Sequence, residues 1–169
     1  DGLVGYDTEV PLARRIGAAT GYYDAPKVIK ALHALDVRVV GRIVAFRDPH
    51  GIRPGVYGRN GDGAWMVASE SVALDVLGFE VVGHVPPGGM VVLRAGDAPI
   101  VRAVAPRPPR HCVFERIYFA RPDTHLWGHT VDRARRAFGR RLAEEQPAPG
   151  DIVISVPDSA NSAAVGFSE

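Results

Sequence analysis

The feature that most constrains this chain is Ala105-Pro106-Arg107-Pro108-Pro109-Arg110, with three prolines in six residues. Each proline fixes its own φ, removes a backbone donor and pushes the preceding residue toward extended conformations, so neither a helix nor a central strand runs through this stretch. It reads as an extended connection, and the boundary between two folding units is expected there. The 169 residues are enough for one ordinary domain or parts of two small ones.

Upstream, helical patterns give way to strands. Asp7-Thr8-Glu9-Val10-Pro11 has the marks of a helix start, Gly17 ends that helix, and Ala25 to Leu35 carries an apolar helical spacing at Val28, Ala31, Leu32 and Leu35. From Val37 the pattern becomes β-branched, with strands expected at 37–40, 42–46, 56–57, 64–68, 79–82, 90–93 and 99–104. Asn60-Gly61-Asp62-Gly63 is a hairpin turn, and Ser69 to Gly78 is a short helix with a serine cap and a glycine stop. Downstream, Cys112 to Phe119 fits either a strand or a short helix. Thr130 to Gln146 forms an amphipathic helix, and Asp151 to Val156 a buried strand that leads through Pro157-Asp158-Ser159 into a further helix at Ala163.

Composition narrows the function. The net charge is +1, with 20 basic and 19 acidic side chains, so no long-range field draws nucleic acid or an anionic membrane to the chain. No apolar run reaches the ~18 residues of a spanning helix, and the first residues lack a basic signal-peptide start. The single cysteine rules out an internal disulfide and an all-cysteine zinc site. A soluble cytoplasmic protein is expected.

Four groups of side chains are candidates for chemistry. The Pro157–Ser162 turn places hydroxyls and backbone N–H groups at a helix start, which suits a phosphate or simply caps the helix, and Asp158 or Ser159 could offer oxygen to Mg²⁺. Asp7 either caps its helix or binds a ligand ammonium group. Arg47, Asp48, His50 and Arg53 crowd one turn, which is read as fixed by internal ion pairs in preference to facing substrate. Ser69, Glu70 and Ser71 are read as a capping cluster. Cys112 is a small buried hydrophobe or an iron–sulfur ligand, and the sequence holds none of the three partners such a cluster needs.

Four ordered strings add a resemblance. They are Phe46-Arg47-Asp48-Pro49-His50-Gly51-Ile52-Arg53-Pro54; Val67-Ala68-Ser69-Glu70-Ser71 with Ala73-Leu74-Asp75; Cys112-Val113-Phe114-Glu115 into Tyr118-Phe119-Ala120-Arg121-Pro122-Asp123; and Val156-Pro157-Asp158-Ser159 with Ser162 to Phe167. Together they resemble the glutamine phosphoribosylpyrophosphate amidotransferases (amidophosphoribosyltransferases). The resemblance implies an α+β chain: residues 1–104 as the C-terminal part of an N-terminal-nucleophile (αββα) glutaminase domain, 105–111 as linker, and 112–169 as the start of an α/β type I phosphoribosyltransferase domain.

It also implies roles. Asp7 would hold the glutamine amino group, Asp158 and Ser159 would sit in the pyrophosphate turn with Ser159 beside Mg²⁺, and Cys112 would be the first of four [4Fe-4S] ligands in the full-length members that have a cluster. The substrates would be glutamine and phosphoribosyl pyrophosphate, with a homo-oligomer expected at full length. Departures from the family pattern stand beside these matches. Position 1 is Asp1 where the family has its nucleophilic cysteine, Val72 replaces a common cysteine, Asp132 replaces a usual tyrosine, and the 35–41 stretch is shorter. The acidic ribose-binding motif and the other three cysteines would follow Glu169. The expectation is an internal, inactive piece of the enzyme with no catalytic residue of its own, or alternatively a non-catalytic remnant or interaction fragment.

Overall fold

A computed structural model describes residues 41–169. The helices expected at Asp7 and Ala25, the strand at 37–40 and the Asp7 site lie outside these residues.

The β-rich region builds two three-stranded antiparallel sheets. One has the order β1 (Ile43–Phe46), β5 (Gly89–Leu93), β6 (Ile100–Ala103), with Ile43 opposite Leu93 and Val92 opposite Ile100. The other has β2 (Val56–Arg59) between β3 (Trp65–Ala68) and β4 (Glu80–His84), and its register shifts between Tyr57 and Gly58. The β2–β3 hairpin closes at the expected Asn60–Gly63 turn, where the Asn60 carbonyl accepts from the Gly63 N–H at 3.0 Å and the Asn60 side-chain oxygen from the Ala64 N–H at 2.8 Å. Tyr57, Val85, Val91 and Leu93 form one buried cluster with Ala45, Trp65 and Val67 against it, so the apolar faces of both sheets share a core. Every residue of β5 is buried, which makes it the centre of that core. Helix α1 (Ser71–Val76) buries Leu74 and ends at Gly78, whose φ of +71° suits glycine.

The 112–169 region is mainly helical. A single π-helical turn at Glu115–Phe119 resolves the strand-or-helix ambiguity of that stretch. A two-stranded hairpin follows, β7 (His125–Leu126) and β8 (His129–Thr130), turning on Trp127 and Gly128 at φ of +51° and +86°. Two successive positive φ values match the sense of twist that tight hairpins favour. His111 stacks on Trp127 at 4.4 Å and the Arg116 guanidinium lies 5.1 Å from the ring, so both faces of this strained position are packed. Helix α2 (Val131–Glu145) begins at Thr130, whose hydroxyl accepts from the Arg133 N–H. Helix α3 (Asn161–Ser168) packs along it.

Two expectations are corrected. Asp151 to Val156 is not a strand, and Ile152 and Ile154 are 79% and 86% exposed. A buried strand requires neighbours to take its backbone hydrogen bonds, and no strand of the described residues lies beside it. The Ser69 cap of α1 is also absent: Glu70 occupies the cap position and makes no side-chain capping bond. The overall architecture is mixed sheet and helix, as expected.

Candidate functional site

The turn singled out from the sequence is formed by Pro157 to Ala160, with a cis peptide between Pro157 and Asp158. The Asp158 carbonyl accepts from the Asn161 N–H at 3.2 Å, and the Ser155 hydroxyl donates to the Asn161 side chain at 2.6 Å, which braces the turn from both sides. Ala160 is the cap residue of α3 and no side chain caps the helix. The capping role open to Asp158 and Ser159 is therefore not the one they take. Asp158 is exposed and Ser159 half-buried, side by side at the start of an eight-residue helix.

That helix is held in place by close backbone approach. A Cβ on Gly139 would lie 1.9 Å from the Ala163 carbonyl oxygen, and one on Gly166 would lie 2.0 Å from that of Arg136, so α2 and α3 touch backbone to backbone. Around this contact Asp132 bonds the Ser162 side chain and pairs with Arg136 at 2.9 Å, and Arg136 and Arg140 both reach Glu169. The Ser162 bond first, and then Arg136, hold the Asp132 carboxyl below its ordinary range.

Two bare oxygen ligands on a braced turn fit Mg²⁺, which keeps most of its waters and takes few protein ligands. Among the described residues no three His, Cys, Asp or Glu side chains gather into a metal cage, so the ion's other ligands would be water. An iron–sulfur cluster does not fit this chain. It needs four thiolates and Cys112 is the single cysteine. Cys112 is half-buried, its N–H donating to the Ile52 carbonyl and its carbonyl accepting from the Glu115 N–H.

A second constellation was not foreseen. The connecting segment lies against the 47–53 turn: Arg107, Arg110 and Cys112 N–H groups donate to the carbonyls of Pro49, His50 and Ile52, and the His50 ring meets the Pro108 carbonyl at 3.0 Å. The turn itself is fixed internally, as preferred, but through backbone and not through ion pairs. Asp48 accepts from the His50 and Ile52 N–H groups, and Arg47 donates to the carbonyls of Gly51, Arg53 and Val85. Glu70 and Ser71 act across the boundary. The Glu70 carboxylate accepts from the Arg121 N–H at 2.9 Å and the Thr124 hydroxyl at 2.8 Å, and the Ser71 hydroxyl accepts from the His125 N–H at 2.9 Å.

Two buried charges complete the junction. Glu115, 2% exposed, pairs with Arg53 at 2.5 Å; burial raises its carboxyl above the ordinary value, Arg53 opposes that rise, and Glu70 adds to it. Arg135, 3% exposed, donates from α2 to the carbonyls of Arg116 and Ala120 at 2.7 and 2.8 Å, and burial lowers its pKa. A charged residue inside the apolar run 112–119 was the available signal for Glu115. Arg135 was hidden among the arginines of α2.

The relatives and solved structures that match most of the chain are one enzyme. The amidophosphoribosyltransferase of Synechococcus elongatus is 47% identical over 127 residues, 73% of this chain and 26% of that protein. That of Mycobacterium tuberculosis is 44% identical over 127 residues, 75% of this chain and 24% of that protein. The solved glutamine phosphoribosylpyrophosphate (PRPP) amidotransferase from B. subtilis, complexed with ADP and GMP, superposes with a TM-score of 0.75 at 30% identity, over 96% of this chain and 37% of that one. A family model described as "Putative glycosyl hydrolase domain" matches residues 1–62, a little over a third of the chain. It meets the described structure at residues 41–62, which hold β1, the 47–53 turn and β2. In sequence and in fold the chain is a homologue of the amidophosphoribosyltransferases, spanning about a quarter of the length of the curated relatives it matches.

Proposed function

We propose that this chain carries the region of an amidophosphoribosyltransferase in which the glutaminase part passes into the phosphoribosyltransferase part. In this reading residues 1–104 belong to the first, 105–111 connect, and 112–169 open the second. The whole enzyme would convert glutamine, phosphoribosyl pyrophosphate and water into phosphoribosylamine, pyrophosphate and glutamate. The observation that carries the reading is the 47% identity over 127 residues to a protein of that name.

Within it, the 157–160 turn is the diphosphate contact. The Asn161 N–H is taken by the Asp158 carbonyl, and the Ser162 and Ala163 N–H groups, with no helical carbonyl to bond, would serve an incoming anion beside Ser159 and Asp158. Ser159 would hold Mg²⁺, whose charge offsets that of the departing pyrophosphate. Asp7 would receive the glutamine ammonium group. Cys112 would be the first of four [4Fe-4S] ligands in a full-length parent that bears the other three thiols. The sequence has no second thiol to attack an amide, so the 169-residue polypeptide itself is proposed to be catalytically silent. Cytoplasmic residence and assembly of the full-length enzyme into a homo-oligomer belong to the same proposal. No helix of the described residues is long and apolar enough to cross a membrane.

Titration calorimetry with pyrophosphate and Mg²⁺ tests the site. Saturable heat that Ser159→Ala reduces at least about tenfold in affinity is the expected result, the equivalent of one charge-assisted contact. No heat at millimolar ligand, or release of glutamate from glutamine by the purified polypeptide, sinks the reading.

The exposed Ile152–Val156 run favours a second reading, in which the chain pairs with a complementary polypeptide. A compact monomer by size exclusion, unchanged by added partner segments, would count against it.

A further inference from the structure

Residues 115–126 are gripped from both sides. From the sheet region come Arg53 to Glu115, Glu70 to the Arg121 N–H and the Thr124 hydroxyl, and Ser71 to the His125 N–H. From the helical region come Arg135 to the Arg116 and Ala120 carbonyls, and the Asp132 and Val131 N–H groups to the carbonyls of Pro122 and Thr124. Arg116 ties the segment to itself through the Leu126 and Trp127 carbonyls. Ala120, Leu126 and Val131 pack beneath these bonds as a small apolar cluster of their own.

This pattern differs from an ordinary domain contact in what is bonded. Besides the Thr124 hydroxyl, what Glu70 and Ser71 meet is main chain. They satisfy main-chain N–H groups at Arg121 and His125, so the backbone path of the segment is set by residues some fifty positions away in sequence. A carboxylate accepting one main-chain N–H and one hydroxyl is worth more than a neutral bond, and its loss leaves a main-chain donor unpaired near buried groups.

We infer that Glu70, with Ser71 and Arg53, is a positioning clamp: it sets segment 115–126, and through that segment the α2–α3 pair and its 157–160 turn, against the two sheets. The clamp is a property of the chain; its consequence for a diphosphate rests on the function proposed above. Arg135 is the opposing anchor, which keeps the segment with α2 when the clamp is released. Releasing Glu70 therefore frees the segment and both helices together while the sheets stay closed.

Hydrogen exchange of the full chain, read by mass spectrometry, tests this. In Glu70→Gln the amides of 121–126 should exchange about tenfold faster or more, those of β1, β5 and β6 should not change, and Glu70→Asp should restore part of the protection. Ser71→Ala removes one hydroxyl and should accelerate His125 alone; because it leaves the core intact, it keeps the test open if Glu70→Gln fails to fold. Unchanged exchange at 121–126 in both variants, or equal acceleration throughout the chain, overturns the inference. Absence of pyrophosphate binding with localised exchange intact would remove the proposed function and leave the clamp standing.

Discussion

The two sides of the proline-rich connection close their cores differently. In the sheet region, Val56, Leu74, Met90, Val91 and Leu93 are each at most 2% exposed, and every strand has a partner. In the helical region, α2 and α3 seal against each other through glycine contacts, while Phe114, Tyr118, Ile152, Ile154 and Val156 face outward. One region thus obtains order from many apolar contacts. The other obtains it from a smaller apolar cluster, from backbone approach and from charges buried at the junction. Order of the second kind depends on a few groups, so single changes should fall harder and more locally there.

The two tryptophans allow the comparison to be broken deliberately, because Trp65 lies in the sheet region and Trp127 in the helical one. The largest effect is expected from Leu93→Ala, which empties the core shared by both sheets and should cost about 2–5 kcal/mol in urea unfolding followed at Trp65. If Trp127 reports a smaller loss than Trp65, the regions unfold separately; coincident curves would show that the junction couples them.

Next comes Gly166→Ala, whose new methyl would overlap the Arg136 carbonyl. A loss of about 1–3 kcal/mol is expected, read at Trp127 and accompanied by reduced helical circular dichroism, with Trp65 little changed.

The smallest effect sharpens the electrostatic half of the contrast. The Glu115 carboxyl is raised above its ordinary 4.5 when folded, so its contribution to stability is fully present below that value and is lost as pH rises through the folded value. Glu115→Gln removes this loss, at about 1.4 kcal/mol per pKa unit of elevation, and Arg53, 56% exposed, keeps its water. Wild type should fall relative to Glu115→Gln as pH climbs from 4.5 toward neutrality. Parallel profiles for the two proteins would show that Arg53 fully offsets the burial of Glu115.

Much of the local structure was legible in the residues. The Asn60–Gly63 turn, the Gly78 stop and the amphipathic run of α2 each rest on interactions within four residues, and each appears as read. No helix or strand runs through the proline-rich segment, as expected. The 157–160 turn was also found in the sequence, because serine, aspartate and proline before a helix are a local signal.

Two readings that depended on a distant partner failed. Ser69-Glu70-Ser71 looked like a cap since serine and acid before a helix usually are; the bonds instead go to Arg121, Thr124 and His125. Asp151–Val156 has strand composition, yet composition supplies no neighbour to pair with.

The amino-acid order alone therefore settled turns, helix ends and the resemblance that led to the family, since these arise from short-range sterics, hydrogen bonds and the identity of ordered strings. The tertiary structure alone decided that Glu70 and Ser71 hold another segment and that Glu115 and Arg135 are buried. Burial and long-range pairing are properties of the assembled surface, and a residue's neighbours in the chain do not specify which remote donor will meet its carboxylate.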